Sequence, residues 1–182
     1  MISYVAFLRS INVGGNNLIK MDDLATMFGS AGLSKVKTYI QSGNVLFESA
    51  ERNIEKLRTK IENHLEKTIG KRITVILRTR ENIDAIINLD PFKGQVYGTE
   101  TKFYVCFLDR KPEFDKILPL QNEKEALILI RILDCDAFLI SLPKEEGHFG
   151  FPNPFIEKEL KVISTARNWT TVKKIAALFD NS

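Results

Sequence analysis

Short apolar runs typical of strands alternate with stretches in which apolar residues repeat every three or four positions. In the first 80 or so residues, strand-like runs occupy 3–8 and 73–77, and two more flank the polar turn of the stretch 38–47. Apolar positions at helical spacing occupy 24–31 and 54–69 between them. The predicted order is β-α-β-β-α-β, the split βαβ or ferredoxin-like arrangement.

The second half shows a similar but less regular pattern. We predict a strand at 103–108, a short helix at 112–118, a hairpin of strands at 126–133 and 137–142, a helix at 155–160 and a β-like pair at 162–163. A last helix carries apolar residues on one face: Trp169, Val172, Ile175, Ala176 and Phe179. The predicted fold class is α+β, with two ferredoxin-like (α-β plait, βαββαβ) halves that have antiparallel sheets, plus a C-terminal helix.

A connector between the halves gives the predicted domain boundary. Residues 83–89 suggest a short helix, and the Asp-Pro-Phe-Lys-Gly sequence at 90–94 breaks it. We therefore predict a first α-β plait domain at residues 1–92, and a second at 93–182 that includes the C-terminal helix.

The hairpin at 38–47 has a tip that is richer in hydrogen-bonding groups than a turn requires. Ser42, Gly43 and Asn44 suit the left-handed conformations of a tight turn, but turns do not select for the amide of Gln41. In a split βαβ sheet, the loop after the first strand and this turn share one end, which the connection at 70–72 also reaches. Backbone N–H groups, amides and cations would meet there, as suits an anionic or polar ligand. In the alternative interpretation, the glycines serve tight turns and the polar groups satisfy loop backbone.

A third polar block precedes the last helix. Thr165 or Asn168 is expected to cap that helix and Arg167 to lie in its first turn, where free N–H groups attract anions. Alternatively, Arg167 pairs with a carboxylate and Trp169 anchors the helix to a core. If the helix docks beside the first half, all three blocks meet in one cleft between the halves. The predicted ligand-binding residues are then Arg9, Asn12, Gly14, Gly15, Gln41, Ser42, Gly43, Asn44, Thr165, Arg167 and Asn168.

Composition and motifs exclude several classes of function. The net charge of +3 is too small to indicate nucleic acid by itself, and no apolar run approaches a membrane span. The strand directly after Met1 leaves no room for a signal peptide, so a cytoplasmic location is expected, with Cys106 and Cys135 unpaired. His64 and His148 have no second ligand at metal spacing, so no metal site is predicted. No P-loop, dinucleotide motif or catalytic triad can be nominated, and catalytic residues and cofactor stay unassigned.

Three sequence blocks carry a family resemblance. They are LRSINVGG at 8–15, YIQSGNV at 39–45 and TARNWTTV at 165–172. They resemble the signature blocks of the mainly bacterial domain of unknown function family 1697, and the resemblance spans nearly the whole chain. It implies a pair of α-β plaits and no established activity. The chain departs from the family at Ser10, where glycine is common, and at 149–154, where a more polar segment is expected.

Two classes of function follow. The first is a binding module for a small anionic or nucleotide-like ligand. The second is an RNA-binding plait protein, because Phe149-Gly150-Phe151 faintly resembles an RNA-binding core motif; an enzyme of unassigned reaction is a further alternative. RNA binding requires exposed aromatic rings on a sheet, and the candidates are Tyr4, Phe7, Tyr104 and Phe107. Oligomeric state is not predicted.

Overall fold

The computed structural model describes residues 1–11, 19–95, 97–98 and 100–180. The chain divides into two compact units. Unit 1 comprises Met1–Ala85 and Ile175–Ser182, and unit 2 comprises Ile86–Lys174. The units divide between Ala85 and Ile86 and again between Lys174 and Ile175. The domain boundary expected after Phe92 stays a prediction.

Unit 1 follows the β-α-β-β-α-β order predicted from the hydrophobic pattern. Its elements are β1 (Ile2–Leu8), α1 (Met21–Ser30), β2 (Ser34–Tyr39), β3 (Asn44–Ser49), α2 (Ile54–Ile69) and β4 (Val75–Thr79). The strands form one sheet in the order β2-β3-β1-β4, and every neighbouring pair is antiparallel. The helix α3 (Arg80–Leu89) follows and spans the division between the units.

The helices of unit 1 bury their apolar stripes against one face of this sheet. Phe28 of α1 packs edge-on against Phe47 of β3, with ring centroids 5.6 Å apart. The Asn53 side chain caps α2 by accepting a hydrogen bond from Lys56 N at 3.0 Å, and Gly70 ends α2 at φ 76°. The buried core positions include Tyr4, Ala6, Leu8, Leu24, Leu57, Ile61 and Leu65.

Unit 2 is built around a five-stranded antiparallel sheet. Its elements are β5 (Lys102–Leu108), β6 (Leu120–Asn122), β7 (Leu127–Leu133), β8 (Asp136–Ser141), α4 (Pro152–Leu160) and β9 (Ser164–Asn168). The last helix, α5 (Trp169–Asp180), begins in unit 2 and passes into unit 1 at Ile175. The sheet order is β6-β7-β8-β5-β9. One face packs against α4 through residues such as Cys106, Leu139 and Ile156. The predicted apolar face of α5 is confirmed, since Val172, Ile175 and Phe179 are buried.

The helix predicted at 112–118 is wrong. This segment, all of which the structure describes, contains no helix, and a short strand, β6, follows it. Pro119 disfavours helical backbone at Leu118, and Phe114 and Leu118 pack against the core from an irregular chain instead. Unit 2 therefore lacks the first helix of the β-α-β-β-α-β order.

The predicted start of the last helix is also wrong. Thr165 and Arg167 lie in β9, where Arg167 pairs with Val105 and Thr165 with Phe107 of β5. Tertiary pairing with β5 decides the conformation, and the helix begins only at Trp169. Thr165 therefore does not cap the helix, Arg167 is not in its first turn, and Asn168 directly precedes it.

Candidate functional site

Three chain segments of unit 1 meet at one end of its sheet. Leu8 N donates to Gly43 O at 2.8 Å, and Arg9 N donates to Thr74 O at 2.9 Å. The end of β1, the 41–44 turn and the chain entering β4 are therefore adjacent, as predicted from the element order. The predicted ligand contacts Asn12, Gly14 and Gly15 lie outside the described residues, as do the other residues of 12–18.

The side chain of Asn44 holds the 41–44 turn together. Asn44 is fully buried, and its Nδ2 donates to Tyr39 O at 3.0 Å and to Ser42 Oγ at 2.8 Å. These bonds satisfy a buried amide, and they agree with the alternative interpretation of the turn, in which its polar groups satisfy loop backbone. Gln41 is exposed at the tip, so of the four turn residues it presents the most accessible polar side chain.

Gly43 is required at its position for two reasons. Its φ of 71° is a left-handed conformation that favours glycine. A Cβ built there would lie 2.6 Å from Ile11 Cδ1 and 3.0 Å from Leu8 Cβ. The turn thus packs closely against the chain leaving β1, which ties the two predicted blocks together.

Left-handed backbone recurs at this end of the sheet in residues other than glycine. Ser10 has φ 56° and Ile40 has φ 51°. A β-branched residue such as Ile40 rarely adopts positive φ, and its side chain is 48% exposed here, so core burial does not compensate for the strain. A glycine at position 10 would adopt this φ without strain. Sequence reasoning missed Ile40 because nothing in its residue type signals positive φ.

Cationic side chains lie next to this end of the sheet. Arg9 is half-buried, Lys71 is exposed, and the side chain of Arg72 is 73% exposed. Arg72 Nη2 lies 3.8 Å from Glu62 Oε2, while Glu62 Oε1 accepts from Val75 N at 2.9 Å. Glu62 thus fixes the start of β4 and holds Arg72 loosely, leaving positive charge at the rim.

Arg167 lies in the sheet of unit 2 and is 8% exposed. Its Nη1 donates to Thr165 Oγ1 and to Ala166 O, each at 2.8 Å. Burial lowers the pKa of Arg167 to about 10. Trp169, two residues further along the chain, packs edge-on against Phe92 with ring centroids 5.5 Å apart, which matches its alternative role as a helix anchor. Asn168 is exposed at the end of β9. A role for Thr165, Arg167 and Asn168 in the ligand site stays a prediction.

A second buried arginine, Arg78, was not identified from the sequence. Arg78 is 9% exposed, lies opposite Val5 in β4, and donates from Nη1 to the carbonyl of Leu77 at 2.8 Å. Arg167 makes the same contact with the preceding carbonyl and lies opposite Val105. The available signal was an arginine two residues before each of the helices α3 and α5.

The sheet aromatics do not provide the exposed surface that RNA stacking needs. Tyr4 is 1% exposed, and Phe7 and Phe107 are fully buried. Tyr104 is half-buried, and burial raises the pKa of its phenol. These four rings therefore offer no stacking platform. Phe149 of the weak RNA-binding motif lies under Lys102, whose Nζ is 3.6 Å from the ring centroid.

The remaining predictions from the sequence concern metal binding, disulfide formation and membrane-spanning helices. Within the described ranges, no group of three or more His, Cys, Asp or Glu side chains could hold a metal ion. His64 Nε2 instead lies 2.8 Å from Ser30 Oγ on the surface. Neither Cys106 nor Cys135 is in a disulfide. Among the described helices, none has the length and apolarity to span a bilayer.

The two antiparallel sheets and their helices define a protein of the α+β class. The chain belongs to the family described as "Protein of unknown function (DUF1697)", whose model matches residues 1–133 and so includes the first two signature blocks but not the third. It is similar in fold to a conserved bacterial protein from Streptococcus pneumoniae, with 21% identity, a TM-score of 0.64 and 97% of each chain covered. No curated protein matches the chain.

Proposed function

We propose that this protein is a binding module for a small anionic or nucleotide-like ligand, which contacts Arg9 and the 41–44 turn. The observation that carries the proposal is the left-handed backbone at Ile40 and Ser10, at the sheet end where three segments meet. Strained backbone at a non-glycine residue costs about 1–3 kcal/mol and is concentrated at ligand sites. A β-branched residue in this conformation supports a functional use of the turn.

The charge of the ligand follows from the groups at this end of the sheet. Arg9, Lys71 and Arg72 supply cations, and Gln41 supplies an exposed amide at the tip. A hydrogen bond between such a cation and an oxyanion contributes about 1.5–3 kcal/mol, more than a bond between neutral groups. A phosphate or carboxylate group therefore suits this site better than a neutral ligand does.

We infer that unit 1 is a ferredoxin-like plait and that the two sheets derive from a duplication. The orders β2-β3-β1-β4 and β7-β8-β5-β9 correspond strand for strand, with β6 added at one edge. The matched registers and carbonyl contacts of Arg78 and Arg167 support the same inference. The absence of a disulfide at Cys106 and Cys135 supports a cytoplasmic location, where thiols stay reduced.

Calorimetric titration with pyrophosphate and with adenosine monophosphate tests the binding function. Arg9→Gln should weaken binding by about tenfold, which corresponds to 1.4 kcal/mol. Arg52→Gln is the matched control, because Arg52 is exposed and lies at the other end of the sheet, after β3. Gln41→Ala should weaken binding less, with Gln121→Ala of exposed β6 as its control. Equal affinities of the Arg9 and Arg52 variants would refute the proposed contact.

A further inference from the structure

The sheet of unit 2 has an end that corresponds to the candidate site of unit 1. Leu108 N donates to Cys135 O at 2.9 Å, and Asp109 N donates to Ile163 O at 3.0 Å. The first bond joins the end of β5 to the β7–β8 turn, and the second joins it to the chain entering β9. These are the same connections that β1 makes with the 41–44 turn and with the chain entering β4.

A cavity of about 390 Å³ lies beside this end. Its polar lining consists of three cations, Arg110, Lys111 and Lys161, and one carboxylate, Glu113; the remaining lining is apolar. Cations thus exceed carboxylates in the lining by two. A volume of this size exceeds that of a phosphate group and falls within the usual range of small-molecule sites.

Hydrogen bonds fix the wall of the cavity. Arg110 donates from Nη1 to Asp109 Oδ2 at 3.0 Å and from Nη2 to Lys161 O. Asp109 is itself held, because its Oδ1 accepts from Ile163 N at 2.9 Å. The Arg110 guanidinium therefore covers a carbonyl at the negative end of α4, which reduces the repulsion that this helix end would exert on an anion.

Lys161 lies where its ammonium group can contact a ligand in the cavity. It follows α4 in a left-handed conformation, with φ 55°, and its N–H donates to Glu157 O at 3.1 Å. A lysine in this conformation is strained, whereas glycine would be relaxed. Its side chain is exposed at the rim of the cavity, as is that of Lys111.

We propose that this cavity is a second ligand site, specific for a small oxyanion of the phosphate class, with Lys111 and Lys161 as the contacting cations. Ammonium groups bind phosphate as mobile point charges, while Arg110 keeps the cavity wall in place. The proposal stands on the cavity and its charges, and it does not require the site at the 41–44 turn.

The test is a titration of the full-length ¹⁵N-labelled protein with inorganic phosphate, followed by amide chemical shifts, with acetate as a parallel arm. Saturable shifts are expected at 110–113 and 160–162 with phosphate and weaker ones with acetate. Lys161→Gly should weaken phosphate binding by about three- to tenfold while relieving left-handed strain, so unfolding cannot explain the loss. Lys158→Gly is not a suitable control, because glycine would weaken helix α4 at that position. The matched pair of charge removals is therefore Lys161→Gln and Lys158→Gln.

Each outcome decides the proposal. Saturable shifts at the cavity that Lys161→Gln weakens and Lys158→Gln does not weaken support it. Shifts that fail to saturate, equal effects of the two glutamine variants, or equal affinity for acetate and phosphate overturn it. Shifts confined to Arg9 and residues 40–44 also overturn it while leaving the unit 1 site intact, so the two proposals fail separately.

Discussion

Arg78 and Arg167 occupy equivalent positions in the two sheets. Each lies in the edge strand that precedes a helix, opposite a valine of the neighbouring strand, and each donates from Nη1 to the carbonyl of the preceding residue at 2.8 Å. Burial of a guanidinium is costly unless its donors are satisfied, so both side chains are expected to contribute to the stability of their sheets.

Arg167→Ala is accordingly expected to destabilise the protein. The change removes a buried side chain and leaves the carbonyl of Ala166 and the hydroxyl of Thr165 without this donor, at a cost of about 2–4 kcal/mol in the free energy of unfolding. Urea denaturation measures it, with Arg131→Ala as control because Arg131 is exposed in β7 of the same sheet. An Arg167→Ala variant as stable as the Arg131→Ala variant would show that these contacts contribute little.

Relief of left-handed strain is expected to raise the free energy of unfolding, whereas Arg167→Ala is expected to lower it. Ser10→Gly and Ile40→Gly should each raise the free energy of unfolding by about 0.5–1 kcal/mol, since glycine adopts φ near 55° without a Cβ clash. Ser3→Gly within β1 is the control and should lower stability. If Ile40→Gly also weakens pyrophosphate binding, the strained residue itself shapes the site; loss of stability in either variant would contradict the assigned conformation.

Substitutions at two glycines distinguish the cost of left-handed backbone from the cost of close packing. Gly43 and Gly70 have φ values of 71° and 76°, but only Gly43 faces a side chain, that of Ile11, within 3 Å of a built Cβ. Gly70→Ala should cost about 1 kcal/mol from φ alone, and Gly43→Ala should cost about 1–3 kcal/mol more. Thermal or urea unfolding of both variants checks the difference. Shortening the neighbour in Gly43→Ala/Ile11→Val should recover part of the added cost.

The two cysteines should differ in reactivity. Cys106 is fully buried, and burial raises the pKa of its thiol well above the usual range, so the reactive thiolate is scarce at neutral pH. Cys135 is half-buried in the β7–β8 turn. Iodoacetamide followed by peptide mass analysis should label Cys135 in the native protein and Cys106 only after unfolding. Early labelling of Cys106 would show that β5 opens readily.

Hydrophobic periodicity predicted the elements that depend on local pattern. The helices α1 and α2 and the β2–β3 hairpin follow directly from helical spacing and turn residues. Periodicity could not place Thr165 and Arg167, because a polar segment becomes a strand only when a partner such as β5 is available. Nor could it show that an irregular chain precedes Pro119 where helical spacing suggested a helix.

The candidate site likewise has some features that the sequence predicted and others that it did not. The adjacency of Arg9 and the 41–44 turn follows from element order, and the bond between Leu8 N and Gly43 O bears it out. The strain at Ile40 and the burial of Arg78 depend on tertiary packing, which residue types alone do not reveal. Asn44, selected from the sequence as a candidate ligand contact, is buried, and its side chain holds the turn together through two hydrogen bonds.

The most direct test of anion binding at the unit 1 site is an amide chemical-shift titration of the ¹⁵N-labelled protein with pyrophosphate. We predict saturable shifts at Arg9, Ser10 and residues 40–43, and an affinity about tenfold lower in Arg9→Gln than in Arg52→Gln. Saturation without shifts at these residues, or no saturable shifts at all, would contradict the assignment of this sheet end as a ligand site.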